Sequence, residues 1–193
     1  MKFSSILKDA CMLFIITVVL AFVLSIAKVG TQRAIDAANA AAQMKAFNEV
    51  CPGYSSSDNI KDDVVGAGAG IENASLNGDD AVLRCKDAAG ETIGYIVQCT
   101  SKGFGGPLNL IVGFDKEGNV TGVRYANTPQ ETPGLGMKTT EQGFLDKWLN
   151  VNNGNVSDVD TISGATVSST AFKQAVTLAC MYASRAVTLD GGV

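Results

Sequence analysis

The chain has 193 residues, 46% of them apolar, a formal net charge of −4 and no histidine, a composition of globular rather than disordered character with room for one ordinary domain and an accessory segment. Without histidine there is no Ser-His-Asp triad and no histidine-bearing zinc site, and five cysteines with no CxxC pair give poor support to an iron–sulfur or zinc centre. Beyond Val29 the balance is 12 basic against 18 acidic side chains, net −6, since Lys2, Lys8 and Lys28 are lost with Asp9 alone; that argues against nucleic acid as a partner.

Cys11 to Ala27 is an uncharged run whose only polar members are Thr17 and Ser25, and with Ala10 and Val29 it approaches the roughly 20 residues that span a bilayer. A cleaved signal peptide is the competing reading, because Ser25-Ile26-Ala27 has a small-x-small pattern, but the run exceeds an h-region of roughly 7–15 residues. We therefore expect a short tail at 1–9 and a retained transmembrane helix at 10–29, with membrane lipid as its surroundings. Lys2 and Lys8 on one side and Lys28 and Arg33 on the other leave the orientation uncoded by charge. Thr31 to Val50 is alanine-rich and favours helix, which gives a stalk over 30–52 closed by Cys51-Pro52-Gly53. A domain over 53–193 follows.

Within that domain Tyr54 to Asn59 reads as a polar loop. Val64-Val65-Gly66-Ala67-Gly68-Ala69-Gly70 has neither a strand before it nor an amphipathic helix after it, so it reads as a glycine loop and not a dinucleotide fingerprint. Strands are predicted at Ala81–Lys86, Thr92–Cys99, Leu108–Phe114 and Val120–Tyr125, paired as antiparallel hairpins across Ala89-Gly90-Glu91 and Asp115 to Asn119. Ser101 to Pro107 is too rich in glycine for a strand centre and is a loop available for contact. The fold class is therefore α+β, with a mixed or antiparallel sheet and flanking helices.

Asn127 to Lys138 carries two prolines and two glycines, an irregular loop whose backbone can approach a planar ligand. Thr140 to Leu149 is predicted as a short amphipathic helix, with Trp148 in the core. From Phe172 the apolar residues Phe172, Ala175, Val176, Ala179, Cys180 and Ala183 follow the spacing of one buried helical face, with Ser168, Ser169 or Thr170 as its cap. The turn Asp160-Thr161-Ile162-Ser163-Gly164-Ala165-Thr166 would then lie at or near a helix N-terminus. Unpaired N–H groups and the positive dipole end favour an anion such as a phosphate there, although an ordinary capping turn has the same composition.

This last segment resembles the flavinylation motif of the FMN-binding domain family, whose members include the G subunit of the Rnf electron transport complex and the C subunit of the sodium-translocating NADH:quinone oxidoreductase. Glu131-Thr132-Pro133-Gly134-Leu135-Gly136 is similar to a second segment of the same family, in the same order along the chain, with Gln130 where relatives more often carry histidine. The resemblance implies FMN held by a phosphoester to Thr166. It also implies a binding site built from Asp160, Ser163, Gly164, Ala165, Glu131, Thr132, Gly134, Leu135 and Gly136, and no catalytic residue or metal. It implies further that the anchor is kept, with residues 1–9 cytoplasmic and Arg33 to Val193 outside, in a single-pass protein of the cell membrane. The implied role is an electron-transfer subunit of an ion-translocating ferredoxin:NAD oxidoreductase, partnered by the other subunits and, during maturation, by a flavin transferase. Alternatives are the quinone-reducing relative, a carrier outside either complex, and a non-redox membrane-tethered binding or assembly module.

Overall fold

The structure is a computed structural model that describes residues 12–19, 21, 22, 25, 41–66 and 80–191. They divide between two compact units, Met1–Ala42 and Gln43–Val193. In the first, the described residues of the predicted span 10–29 are helical, and Leu13, Phe14, Ile15, Ile16, Val18 and Val19 are all exposed. The rest of that span and residues 30–40 of the stalk lie outside the described residues. Among the described residues no helix is long and apolar enough to cross a membrane.

The second unit is built on a five-stranded sheet in the order β1-β2-β3-β4-β5, every neighbouring pair antiparallel. Its strands are β1 Ser56–Asn59, β2 Ala81–Lys86, β3 Thr92–Lys102, β4 Pro107–Phe114 and β5 Val120–Tyr125. Strands β2 and β5 have the expected ends. The expected loop at Tyr54–Asn59 is in part an edge strand: Ser-Ser-Asp-Asn is mostly exposed, so its pairing comes from backbone bonds to β2 and carries no apolar signal. Ser101 and Lys102 likewise continue β3, paired with Leu108 and Pro107, which leaves only residues 103–106 as the connecting loop. Of the expected glycine loop, Val64 to Gly66 close a short helix, Lys61–Gly66, and 67–70 lie outside the described residues.

Side chains alternate across the sheet, so each strand feeds two cores. Tyr95, Val97 and Cys99 of β3 and Leu110, Val112 and Phe114 of β4 meet the long C-terminal helix, Thr166–Leu189. The six apolar residues expected on that helix's inner face are all buried, and Trp148 is fully buried against Phe144 and Phe172. The amphipathic stretch from Thr140 is broken, however, into an α-turn at Gln142–Leu145 and a 3-10 turn at Asp146–Trp148, preceded by another 3-10 turn at Gly136–Thr140. Gly143 within it lowers helix propensity and leaves packing to set the geometry.

On the opposite face Ile96 and Ile111 pack with Cys85 and with Phe47, Val50 and Cys51 from the end of the helical segment 41–50. The end of the segment read as a stalk is thus part of the domain core. Gly113 and Gly122 are register partners on this face. A Cβ on Gly113 would lie 2.2 Å from the Val50 carbonyl oxygen, so the helix end can seat only on a surface without side chains. Thr121 donates its hydroxyl to the same carbonyl.

Candidate functional site

The C-terminal helix begins at Thr166, earlier than the expected cap at Ser168 to Thr170. Its N-cap, Ala165, has no side chain to offer, and the first N–H bonded within the helix is that of Ser169, to the Ala165 carbonyl at 2.9 Å. The N–H groups of Thr166, Val167 and Ser168 are therefore the orphan donors that every helix N-terminus leaves. The serines serve the turn instead. Ser169 Oγ accepts from the Ile162 N–H at 3.0 Å and donates to the Ala165 carbonyl at 2.9 Å, which folds 162–165 over the helix end. Gly164 turns the chain there at φ 81°, in the left-handed region.

Ser168 Oγ donates to Glu131 Oε2 at 2.7 Å, a bond between groups 37 residues apart. Glu131 is buried, and its other oxygen accepts from the Gly105 N–H at 3.3 Å. One carboxyl thus joins three segments: the β3–β4 loop, the proline-glycine loop and the helix start. The fit is close. A Cβ on Gly136 would lie 2.3 Å from Glu131 Oε2, and one on Gly105 would lie 1.7 Å from the Gln130 carbonyl oxygen. From behind, Tyr125 donates to Thr139 Oγ1 at 2.8 Å and Thr139 donates to the Gly136 carbonyl at 2.7 Å. Burial pushes the Tyr125 phenol up to about 12, so it stays a donor through the neutral range.

In front of this frame lies a cavity of about 310 Å³, lined by Phe104, Thr132, Leu135, Gly136, Gly164, Ala165, Thr166, Val167 and Ser168. That volume is within the range of small-molecule sites. Phe104, Leu135 and Val167 are exposed at its rim, at 72%, 47% and 56%. Of the expected site residues, Thr132, Leu135, Gly136, Gly164, Ala165 and Thr166 line the cavity. Glu131 braces its walls, while Asp160, Ser163 and Gly134 are exposed and do not line it. Three lining residues have no functional signal of their own in the sequence: Phe104 shows only a glycine-rich loop around it, Val167 is a lone apolar residue after the motif, and Ser168 reads as a helix cap.

A wider surface cleft of about 710 Å³ lies near the other end of the C-terminal helix, around Arg84, Lys86, Tyr95, Lys116 and Asp190. Its central charges are already matched: Arg84 Nε and the Tyr95 hydroxyl both donate to Asp190 Oδ2 at 2.7 Å. Neither expected motif reaches it.

Residues 103–180 match the protein family described as FMN-binding domain. Over 190 residues the chain is 28% identical to the G subunit of the ion-translocating oxidoreductase complex of Methanosarcina acetivorans, an alignment covering 94% of this chain and 96% of that one. It is 31% identical over 146 residues to the protein of the same name from Shewanella amazonensis, covering 66% of each. It is 30% identical over 95 residues to the G subunit of the proton-translocating ferredoxin:NAD(+) oxidoreductase complex of Clostridium ljungdahlii, covering 45% of this chain and 51% of that one.

Proposed function

Because this chain belongs to the FMN-binding domain family, we propose that it is the flavoprotein subunit of an ion-translocating oxidoreductase complex, the counterpart of the G subunit in its relatives. The observation that carries the reading is the convergence of the two distant motifs on one cavity, at a helix N-terminus that lacks a side-chain cap.

The residues present fit a flavin phosphate. Thr166 is exposed at the first helical position, where its hydroxyl could end in a phosphoester, and the three orphan N–H groups together with the helix dipole would stabilise the remaining phosphate charge. Phe104, Leu135 and Val167 offer apolar contact for a planar ring, and the Thr132 hydroxyl offers one hydrogen bond to a ring oxygen or nitrogen. Bound FMN supplies the redox chemistry, and the protein supplies position, surroundings and a route for the electron. No acid–base group is needed in the cavity for that task.

The exposed rim leaves one edge of the site open to a neighbouring protein of the complex. The helical residues 12–19, uncharged and apolar but for Thr17, suit lipid better than water and belong in this reading to a single membrane anchor over 10–29, with the domain on the extracytoplasmic side. A flavin transferase attaches the cofactor. The test is to express the full chain with and without such a transferase and illuminate a denaturing gel. A fluorescent band that depends on the transferase is expected, and a dark band in both cases contradicts the reading.

A further inference from the structure

We propose that Cys51 and Cys85 form a redox-sensitive pair that closes to a disulfide, stapling the end of the helical segment 41–50 to the sheet. Both are thiols in this structure, and both are buried, at 4% and 0%, in the small core on the sheet face opposite the C-terminal helix. The chain path brings them together. The Cys51 N–H ends its helix on the Phe47 carbonyl at 2.8 Å, and Ser55 N–H then bonds the Lys86 carbonyl at 2.9 Å. Ser57 pairs with Cys85 itself. The turn at Pro52 and Gly53 therefore folds Cys51 back onto β2, where Cys85 projects toward the same core as Leu83. The interaction between the two thiol groups holds Cys51 below the usual thiol value and, with burial, pushes Cys85 up.

Cys51 is the entering nucleophile on this geometry, since it sits in a turn beside the exposed Pro52 and Gly53 while Cys85 is enclosed. The oxidant is an external disulfide, either a small one such as oxidised glutathione or that of a thiol–disulfide oxidoreductase. The Cys51 thiolate attacks one of its sulfurs and releases a thiol; Cys85 then displaces the second thiol. Two protein thiols are oxidised and one external disulfide becomes two thiols. The remaining cysteines are placed differently: Cys99 donates to the Ala175 carbonyl at 3.3 Å, and Cys180 is buried with it in the main core. Cys11 lies outside the described residues. The pair is independent of the flavin site.

The full chain is incubated with excess oxidised glutathione, quenched in acid, denatured, alkylated and weighed. We expect three alkylated cysteines, Cys11, Cys99 and Cys180, and five after reduction. Closing a loop of about 35 residues should raise Tm by roughly 10 °C over the reduced protein. In C85S the exchange stops at its first step, so Cys51 should keep a glutathione adduct while Cys11, Cys99 and Cys180 are alkylated; in C51S all four remaining cysteines should be alkylated without reductant, and Tm should not respond to reductant. In oxidised wild type, five alkylated cysteines, a lasting glutathione adduct on Cys51, or a cross-link through Cys99 or Cys180 would each overturn the proposal.

Discussion

Ser168→Ala is the sharpest probe of how the site is held together, because it deletes one atom from a joint linking segments 37 residues apart. The lost bond is short, at 2.7 Å, and its acceptor is a buried carboxyl whose other partner is the longer 3.3 Å bond from Gly105. Hydrogen bonds to charged groups contribute about 1.5–3 kcal/mol, and a buried acceptor left short of donors keeps its desolvation cost. We expect a loss of about 2 kcal/mol, which for a domain of this size lowers Tm by roughly 4–8 °C. Thermal and urea unfolding of the protein measure this directly. Glu131→Gln keeps the volume and an amide oxygen for one donor, so the double variant should lose about 1 kcal/mol or more less than the two single losses combined. Additivity within about 0.3 kcal/mol, or a Ser168→Ala loss below about 0.5 kcal/mol, would refute the idea that this bond ties the loops.

Three further outcomes follow from the same geometry. Gly113→Ala places a methyl 2.2 Å from the Val50 backbone oxygen and should cost about 3 kcal/mol or more, seen as a lowered urea midpoint without any change in the flavin spectrum. Thr132→Ala should retain the covalent adduct yet shift the flavin potential in a spectroelectrochemical titration; an unchanged potential makes the loop purely structural. It is a cleaner test than Gly134→Val, since Gly134 sits at φ 74° and a branched residue there is strained whatever its contacts. Burial disfavours the charged form of Asp190, but hydrogen bonds from Arg84 and Tyr95 outweigh it and hold the carboxyl below its ordinary value. A depressed carboxyl stabilises the fold above the unfolded value of about 4 and loses that contribution as pH falls further, so Tm should drop between about pH 5 and 3. Arg84→Met should have a lower Tm at pH 7 and a smaller acid-side drop. Parallel curves for the two proteins count against the pairing.

The parts of the fold that rest on apolar periodicity were legible in the sequence. The ends of β2 and β5, the inner face of the C-terminal helix and the core position of Trp148 all come from side chains that must leave water. No such signal exists where the backbone alone decides. Strand β1 has a polar, exposed sequence and exists through its pairing with β2, and the stretch 140–149 is too short and too interrupted for propensity to fix one helix type. At the site the motifs named most of the cavity wall, including Thr166, Gly164 and Leu135. What no local pattern could show is the fold-made joint: Glu131 turned inward to Ser168 and Gly105, and Phe104 brought to the rim by a loop with no motif of its own. The same limit applied to the cysteines, whose partners depend on a turn and a register.

Flavin attachment at Thr166 is tested most directly by the intact mass of the full chain co-expressed with a flavin transferase. Wild type should carry one adduct of roughly 440 Da, as expected for FMN held through its phosphate, mapping to the peptide with Ser163 to Thr166. Thr166→Ala should fold, with unfolding near that of wild type, and carry no adduct, since the side chain is exposed and its hydroxyl is the proposed attachment atom. Retention of the adduct in Thr166→Ala, with its loss in Ser163→Ala or Thr170→Ala, would contradict the assignment.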